Sequence, residues 1–515
     1  MTSSTGIRVF HWWALVAIAG FGVWLRASNL ATYPTWWDEY ASVFSASGQI
    51  ASQGTKYGGR VSQAESGDVK ILAFGKGGSF QAAEVLARNR IVNVPAASLF
   101  WDRGNGLAFS LLLHAWVLIF GFSDAALRAL PCVLGALAIP AVFAVGTRAT
   151  KLPGVGLIAA LLVACNALLV QFSQEVRPYS LAVLLGLLAT WVFLGFFQDN
   201  LRRPALWGIL YAALLIALGL THYLAIPTLV GAHFIGALIA LPRLRTLGLW
   251  TGGVAALSMA LAVWMVWGGY LGLQTMGEHD QVWMQRATSG MFWWLTPFDW
   301  RTGIRLCIER TVQFNLPLFV FWPPQGLVSC GLLGVFLLAV LAGLLAMCRA
   351  SGRVILAGTA IFCALSAGGL FSVYLSWKSG HTLPFIDRYF TFYIPFQSLL
   401  ISLAVSGVTM LRARWAKILV SLILLSGSAD LIFANVSEAR NAKEKEKFSF
   451  DVVVAGLGSK LPPEARARCD SLDSALVLAL KAAGKFPDLR LVIDPKAGSK
   501  ALIEMNNPKI ESPKP

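Results

Sequence analysis

The stretch GLAFSLLLHAWVLIFGFSDAALRALPCVLGALAIPAVFAVGTRATK, residues 106–151, holds two apolar runs in tandem and ends on Arg148 and Lys151. A helix needs about 20 apolar residues to cross about 30 Å of hydrocarbon. The run at 125–147 meets that length, whereas 106–121 is short and contains His114. Which of them crosses decides the sidedness of everything downstream. Arg8 precedes a first apolar run at 9–27, so the positive-inside rule puts the N-terminus in the cytoplasm and the next loop outside. Returning Arg148 to the cytoplasm then takes one crossing, which 125–147 supplies. The 106–121 run is left as an interfacial or re-entrant helix on the outer side.

The rest of the chain agrees with this assignment. Further apolar runs occur at 154–173, 179–198, 205–221, 224–241, 248–270, 326–347, 354–375, 389–411 and 415–434. Five basic clusters punctuate them: Arg148 and Lys151, Arg202 and Arg203, Arg243 and Arg245, Arg349 and Arg353, then Arg412, Arg414 and Lys417. Successive clusters are two runs apart, so all five share one face, the cytoplasmic one. The expectation is an all-α polytopic membrane protein with about 11 crossings, the N-terminus inside and the C-terminus outside. Residues 1–435 would form the membrane module, with a first external loop at 28–124, and 436–515 an external tail.

Composition supports the same class. Of 515 residues 56% are hydrophobic and only 13% charged, with mean hydropathy +0.64, too few charges to cover a soluble surface. The net charge of +16 resides in topological clusters, which argues against nucleic acid as a partner. Seven cysteines are scattered with no paired spacing.

The outer face collects the unusual residues. PTWWDEY (34–40) places Asp38 and Glu39 beside Trp36 and Trp37, just after the first crossing. WDRGN (101–105) adds Asp102 and Asn105, and QEVRPY (174–179) adds Glu175, Arg177 and Tyr179. His222 follows in THY (221–223), and WKSGHTLPFIDRY (377–389) brings Lys378, His381, Arg388 and Tyr389. Each has a plain alternative. Tryptophans favour headgroups regardless of function, Arg177 can snorkel beside a carboxylate, and Arg388 can pair with Asp387. Against this, the planar guanidinium suits phosphate oxygens, and four charged or imidazole groups within a dozen residues exceed what anchoring needs. His222 and the run Glu278-His279-Asp280 suit a divalent ion, but their spacing is not diagnostic and a metal is not favoured.

In order, these motifs are the early acids, WDRGNGLAFSLLLHAWVLIFG with FSDAALRALPCVLGALAIP, SQEVRPYSL, and DRYFTFYIP. The chain resembles the dolichyl-phosphate-mannose protein mannosyltransferase superfamily, of the broad bacterial kind (glycosyltransferase family 39-like) that includes the lipid A aminoarabinose transferases. The resemblance spans roughly 9–410 and is most specific in the ALR…IP and RPYSL stretches. It implies the GT-C membrane fold, with juxtamembrane helices in the first loop. It also implies transfer of a sugar from a polyprenyl-phosphate donor to a hydroxyl of a glycan, lipid or protein acceptor, or sometimes to a phosphate, at the outer face of a bacterial inner membrane. Asp38 is then the expected base, with Glu39 second. Arg388, Arg177 and Lys378 are expected to bind the donor phosphate, and Glu175, Tyr179, Asp102, Asn105, His222, Tyr389 and His381 to support it or the acceptor. A phosphate leaving group needs no cofactor. Relatives often carry Pro-Pro-Leu where this chain has Gly104-Asn105-Gly106-Leu107, and the loop at 45–100 is longer than usual.

Two other classes fit the hydropathy: a lipid or solute transporter, and a non-catalytic assembly protein of envelope polysaccharide. Transporters usually show internal repeats and broken midplane helices, whereas here the ionisable groups gather at one rim. The tail carries a charged linker, SEARNAKEKEKF (437–448), then FDVVVAG and LRLVID as strands around SLDSALVLALKAAGK, a small α/β appendage.

Overall fold

A computed structural model describes residues 9–28, 30, 37–47, 79–81, 91–102, 105–121, 123–196, 203–240, 281, 283–289, 295–315, 353–366, 368–410, 464–469, 490–492 and 501–506, with isolated positions between 253 and 267. In chain order its helices of a full turn or more are α1 (Val9–Ala27), α2 (Trp37–Ser47), α3 (Val94–Asp102), α4 (Leu107–Phe120), α5 (Asp124–Thr150), α6 (Pro153–Cys165) and α7 (Ala167–Ser173). They continue as α8 (Tyr179–Gly195), α9 (Pro204–Thr221), α10 (Ala225–Ala240), α11 (Trp300–Asn315), α12 (Arg353–Ser366), α13 (Gly369–Ser379) and α14 (Ile394–Met410). The chain divides into two compact units, one comprising Met1–Asn29 and Pro131–Glu438, the other Leu30–Leu130 and Ala439–Pro515.

In the first unit, helix length follows the apolar runs. Val9–Ala27, Asp124–Thr150 and Gly358–Ser379 are each long and apolar enough to cross a membrane, while Tyr179–Gly195, Ala205–Thr221, Ala225–Ile239 and Ile394–Ser406 are apolar but shorter. The expected crossings at 326–347 and 415–434 lie outside the described residues, as does most of 248–270. One run differs from expectation. Residues 154–173 form two helices bent by 62°, because Asn166 leaves the helix in an extended conformation and caps the next one, its Oδ1 accepting from Leu169 N at 3.0 Å.

The carbonyls freed at that break are filled by a distant cation. Arg26, fully buried at the end of α1, donates to Val163 O at 3.0 Å, to Ala164 O at 2.9 Å and to Ser173 Oγ at 3.3 Å. Gln174 Nε2 donates back to the carbonyl of Arg26 at 3.0 Å. Side chains of small volume let the neighbouring helices approach. A Cβ on Gly156 of α6 would stand 2.5 Å from both the Phe143 carbonyl and Thr147 Oγ1 of α5, and one on Gly146 would reach Gly156 Cα at 3.1 Å. At the far end of α5, Arg148 donates to Trp191 O at 3.0 Å and lies over the rings of Trp191 and Trp207, 4.2 and 4.9 Å from their centroids.

The second unit holds α2, α3, α4 and a sheet. Small residues on one face of α2 (Ala41, Ser42, Ser45 and Ala46) are buried, and His114 Nδ1 of α4 lies 2.8 Å from the Ala46 carbonyl. Helix α4 has 14 residues, about 21 Å of helix, shorter than a hydrocarbon core. It begins after Gly106, whose φ of 88° excludes proline, fixed near −65°. The chain thus enters α4 through a left-handed turn. Strands β1 (Ser79–Gln81), β2 (Glu464–Cys469), β3 (Arg490–Val492) and β4 (Ala501–Asn506) form one antiparallel sheet in the order β1-β3-β4-β2. Phe80 stands opposite Leu491, Leu491 opposite Ile503, and Ile503 opposite Ala467. The tail expected as a separate appendage thus shares its sheet with the long first loop. Of its expected elements, LRLVID contains β3, while FDVVVAG and the SLDSALVLALKAAGK helix lie outside the described residues.

Gly156→Ala should destabilise the protein by about 1–3 kcal/mol through overpacking, read as a lowered thermal midpoint in detergent. Gly154→Ala, where a Cβ meets nothing within 4 Å, should leave that midpoint unchanged.

Candidate functional site

Two arginines of the first unit, Arg177 and Arg388, stand near one imidazole, that of His222. Helix α7 ends at Ser173, and a short turn, in which Arg177 N donates to Glu175 O at 2.7 Å, delivers Arg177 and Tyr179 to the start of α8. His222 caps the end of α9, its backbone N–H donating to Leu218 O at 2.7 Å. Arg388 and Tyr389 belong to a 3-10 turn, Asp387–Tyr389, stabilised by Thr391 Oγ1 donating to Arg388 O at 2.7 Å. The aromatics that follow are fixed by glycine, since the Phe392 ring occupies the space where a Gly186 side chain on α8 would stand, 2.5 Å from its Cβ.

The His222 ring lies 6.0 Å from that of Tyr179 and 6.2 Å from that of Tyr389. Arg177 and Arg388 each sit 5.7 Å from the neighbouring tyrosine centroid. Burial drives the His222 imidazole down to about 4, and the charges of Arg177 and Arg388 push it the same way. At neutral pH it is therefore an uncharged ring within the field of two guanidinium groups. Its Nδ1 is buried without a hydrogen-bond partner among the described residues. Five residues singled out from sequence, Arg177, Tyr179, His222, Arg388 and Tyr389, are thus brought together.

The other candidates from this unit have contacts of their own. Asp387 engages Arg310 of α11, Nη1 to Oδ1 at 2.8 Å, instead of pairing with the arginine beside it. Glu175 Oε1 accepts from Gln171 Nε2 at 3.2 Å. Lys378 is exposed on the last turn of α13, and His381 is buried at a β-bridge with Pro297.

The acids lie in the other unit. Asp38 is the second residue of α2. Glu39 is fully buried and clamped by Arg128, with Nε to Oε1 at 3.0 Å and Nη2 to Oε2 at 2.8 Å, while Arg128 Nη1 donates to Leu30 O at 3.1 Å. This bidentate pair fixes α2 against the first turns of α5. Arg128 was not among the expected site residues; its signal was a lone arginine in the ALR stretch that opens an apolar run. Asp102, half-buried, ends α3, and Asn105 N donates to its carbonyl at 2.9 Å. Glu278, His279 and Asp280 lie outside the described residues.

Against solved structures, the chain matches ArnT from Cupriavidus metallidurans bound to undecaprenyl phosphate with a TM-score of 0.52 and 12% identity, over 92% of this chain and 85% of that one. The apo state of the same protein gives 0.51. The chain has the GT-C fold. The fold anticipated from the motifs, that of the lipid A aminoarabinose transferases, is thereby borne out, and GT-C chains of this kind are membrane proteins. The archaeal oligosaccharyltransferase AglB from Archaeoglobus fulgidus, in complex with an inhibitory peptide and a dolichol-phosphate, is matched at a TM-score of 0.44 and 13% identity over 84% of this chain. The chain spans only 56% of the length of that protein. No protein-family model matches the chain, and no curated protein matches it in sequence.

Removing one partner of a buried pair strands the other charge, so Glu39→Gln or Arg128→Met should each cost about 3–5 kcal/mol, read by thermal unfolding. The double substitution Glu39→Met with Arg128→Leu should recover most of that loss. The His222 effect has a defined sign. Its folded pKa lies below the ordinary value of about 6.5, so the unfolded chain takes up the proton first. The stability it contributes is complete above about pH 6.5 and fades as pH falls toward 4. His222→Asn should flatten the decline of the thermal midpoint across that window.

Proposed function

We propose that this GT-C chain is an integral membrane glycosyltransferase. It moves a sugar from a polyprenyl-phosphate donor to a hydroxyl of a glycan, lipid or protein acceptor at the extracytoplasmic face of a bacterial inner membrane. The observation that carries the reading is the gathering of Arg177 and Arg388 about a neutral His222, in a chain whose fold is that of a protein crystallised with undecaprenyl phosphate.

In the reaction, the acceptor oxygen attacks the anomeric carbon while its proton passes to the Asp38 carboxylate. The bond from that carbon to the phosphate oxygen breaks on the opposite side, which inverts the centre. The departing phosphate dianion is held by Arg388 and Arg177, whose forks match its oxygens and stabilise the charge as it develops. His222, held uncharged, offers a ring nitrogen for a hydrogen bond without adding a third cation. Glu39 is committed to Arg128, so the base is assigned to Asp38. Because phosphate is already a stable anion, neither a general acid nor a cofactor is required, and a divalent ion is not favoured.

The test is turnover of a radiolabelled polyprenyl-phosphate sugar by the purified full-length protein. Asp38→Asn should lower kcat by about 10²–10⁴-fold with little change in donor KM, and Arg388→Gln should raise the donor KM. Sugar release by Asp38→Asn equal to that of the parent would remove the proposed base, and substrate movement without bond cleavage would favour a transporter.

A further inference from the structure

Helix α11 has an unassigned face. Trp300, Ile304 and Ile308, four residues apart and so on one side of the helix, are 55%, 52% and 46% exposed. Arg301 and Arg305 are exposed along the edge of that stripe, with Arg305 Nε 3.7 Å from Glu309 Oε1. On the flank of the stripe away from these arginines, Gly303 and Cys307 are buried. An apolar stripe bordered by arginines is the pattern of a helix lying in a membrane interface.

A second observation says what covers this stripe. Leu370, Tyr374 and Trp377 of α13 are also exposed, on the Gly358–Ser379 segment that is long and apolar enough to cross a bilayer. The surface of such a segment facing away from protein faces lipid. The Trp300 and Trp377 rings lie 6.0 Å apart, so the stripe of α11 continues that lipid-facing surface at the end where Lys378 is exposed.

The same helix is tied to the segment bearing Arg388. Thr382 N donates to Thr296 O at 3.0 Å, Thr296 N to Thr382 Oγ1 at 2.9 Å, and Phe298 N to Gly380 O at 2.8 Å. Leu295 and Leu383 pack in one small core with Trp283 and Ile386. From within α11, Arg310 reaches Asp387 at 2.8 Å, the residue next to Arg388.

We propose that Trp300–Asn315 is an interfacial helix. Trp300, Ile304 and Ile308 sit in the acyl boundary of the leaflet, Arg301 and Arg305 meet anionic headgroups, and the lipid surface thereby seats the turn that presents Arg388. The placement does not depend on the glycosyl-transfer reading, and its test needs no turnover. The full-length protein would be reconstituted in vesicles of roughly three parts phosphatidylethanolamine to one part phosphatidylglycerol, with a photoreactive benzophenone side chain at position 304, 308 or 309. Photolysis should give phospholipid adducts at 304 and 308 at least about threefold above those at 309, as expected for a stripe buried in the interface. Arg301→Gln with Arg305→Gln should shift the adducts from phosphatidylglycerol toward phosphatidylethanolamine. Equal lipid yields at the three positions, or adducts at 304 mainly to this chain itself, would overturn the placement. An unchanged lipid ratio in the arginine variant would overturn the headgroup contact.

Discussion

After Cys165 the helical hydrogen-bond ladder stops, and the carbonyls of Val163 and Ala164 lose their usual amide partners. In a bilayer, where water cannot substitute, such groups must be filled from within the protein. Arg26 fills both from a different helix and adds Ser173 beyond the break. The cation gains the negative end of α6 as its counterpart, so a buried charge and a broken helix satisfy each other. The bend that results sets the direction of α7, and α7 delivers the turn carrying Arg177. The position of that guanidinium therefore traces back to a residue roughly 150 positions earlier in the chain.

This is also where the sequence was least transparent. Runs such as 9–27, 205–221 and 224–241 became helices with nearly the expected ends, because hydropathy and length dictate them locally. The break at Asn166 was not visible: a single polar residue inside a 20-residue apolar run reads as tolerated, and only its capping geometry turns it into a bend. Arg26 and Arg128 were passed over for a related reason, since an arginine at the border of an apolar run reads as topology. Each is instead a structural cation, one saturating carbonyls and the other locking Glu39. Helix α11 was hidden because its low mean hydropathy made it part of a loop; its order comes from 295–298 running beside 380–382, a contact that no local pattern encodes.

The ring around His222 was more legible. Arg177, Tyr179, Arg388 and Tyr389 sit in two motifs with proline or aromatic residues on either side, and those neighbours anchor them. Phe392 lies against Gly186, which ties the late arginine to the helix that begins beside the earlier one. Two cations are thereby held within electrostatic reach of one neutral imidazole. What the motifs did not reveal is that Glu39 is locked by Arg128, which ties α2 to the start of α5.

The pairing of β1 with β3 has a consequence in time. Gln81 and Arg490 are register partners some four hundred residues apart, so the ribosome makes one long before the other. At about 5–20 residues per second, the early segment waits on the order of tens of seconds with its backbone donors and acceptors unmatched. During synthesis β1 is therefore a nascent edge open to other strands until Arg490–Val492 has been made.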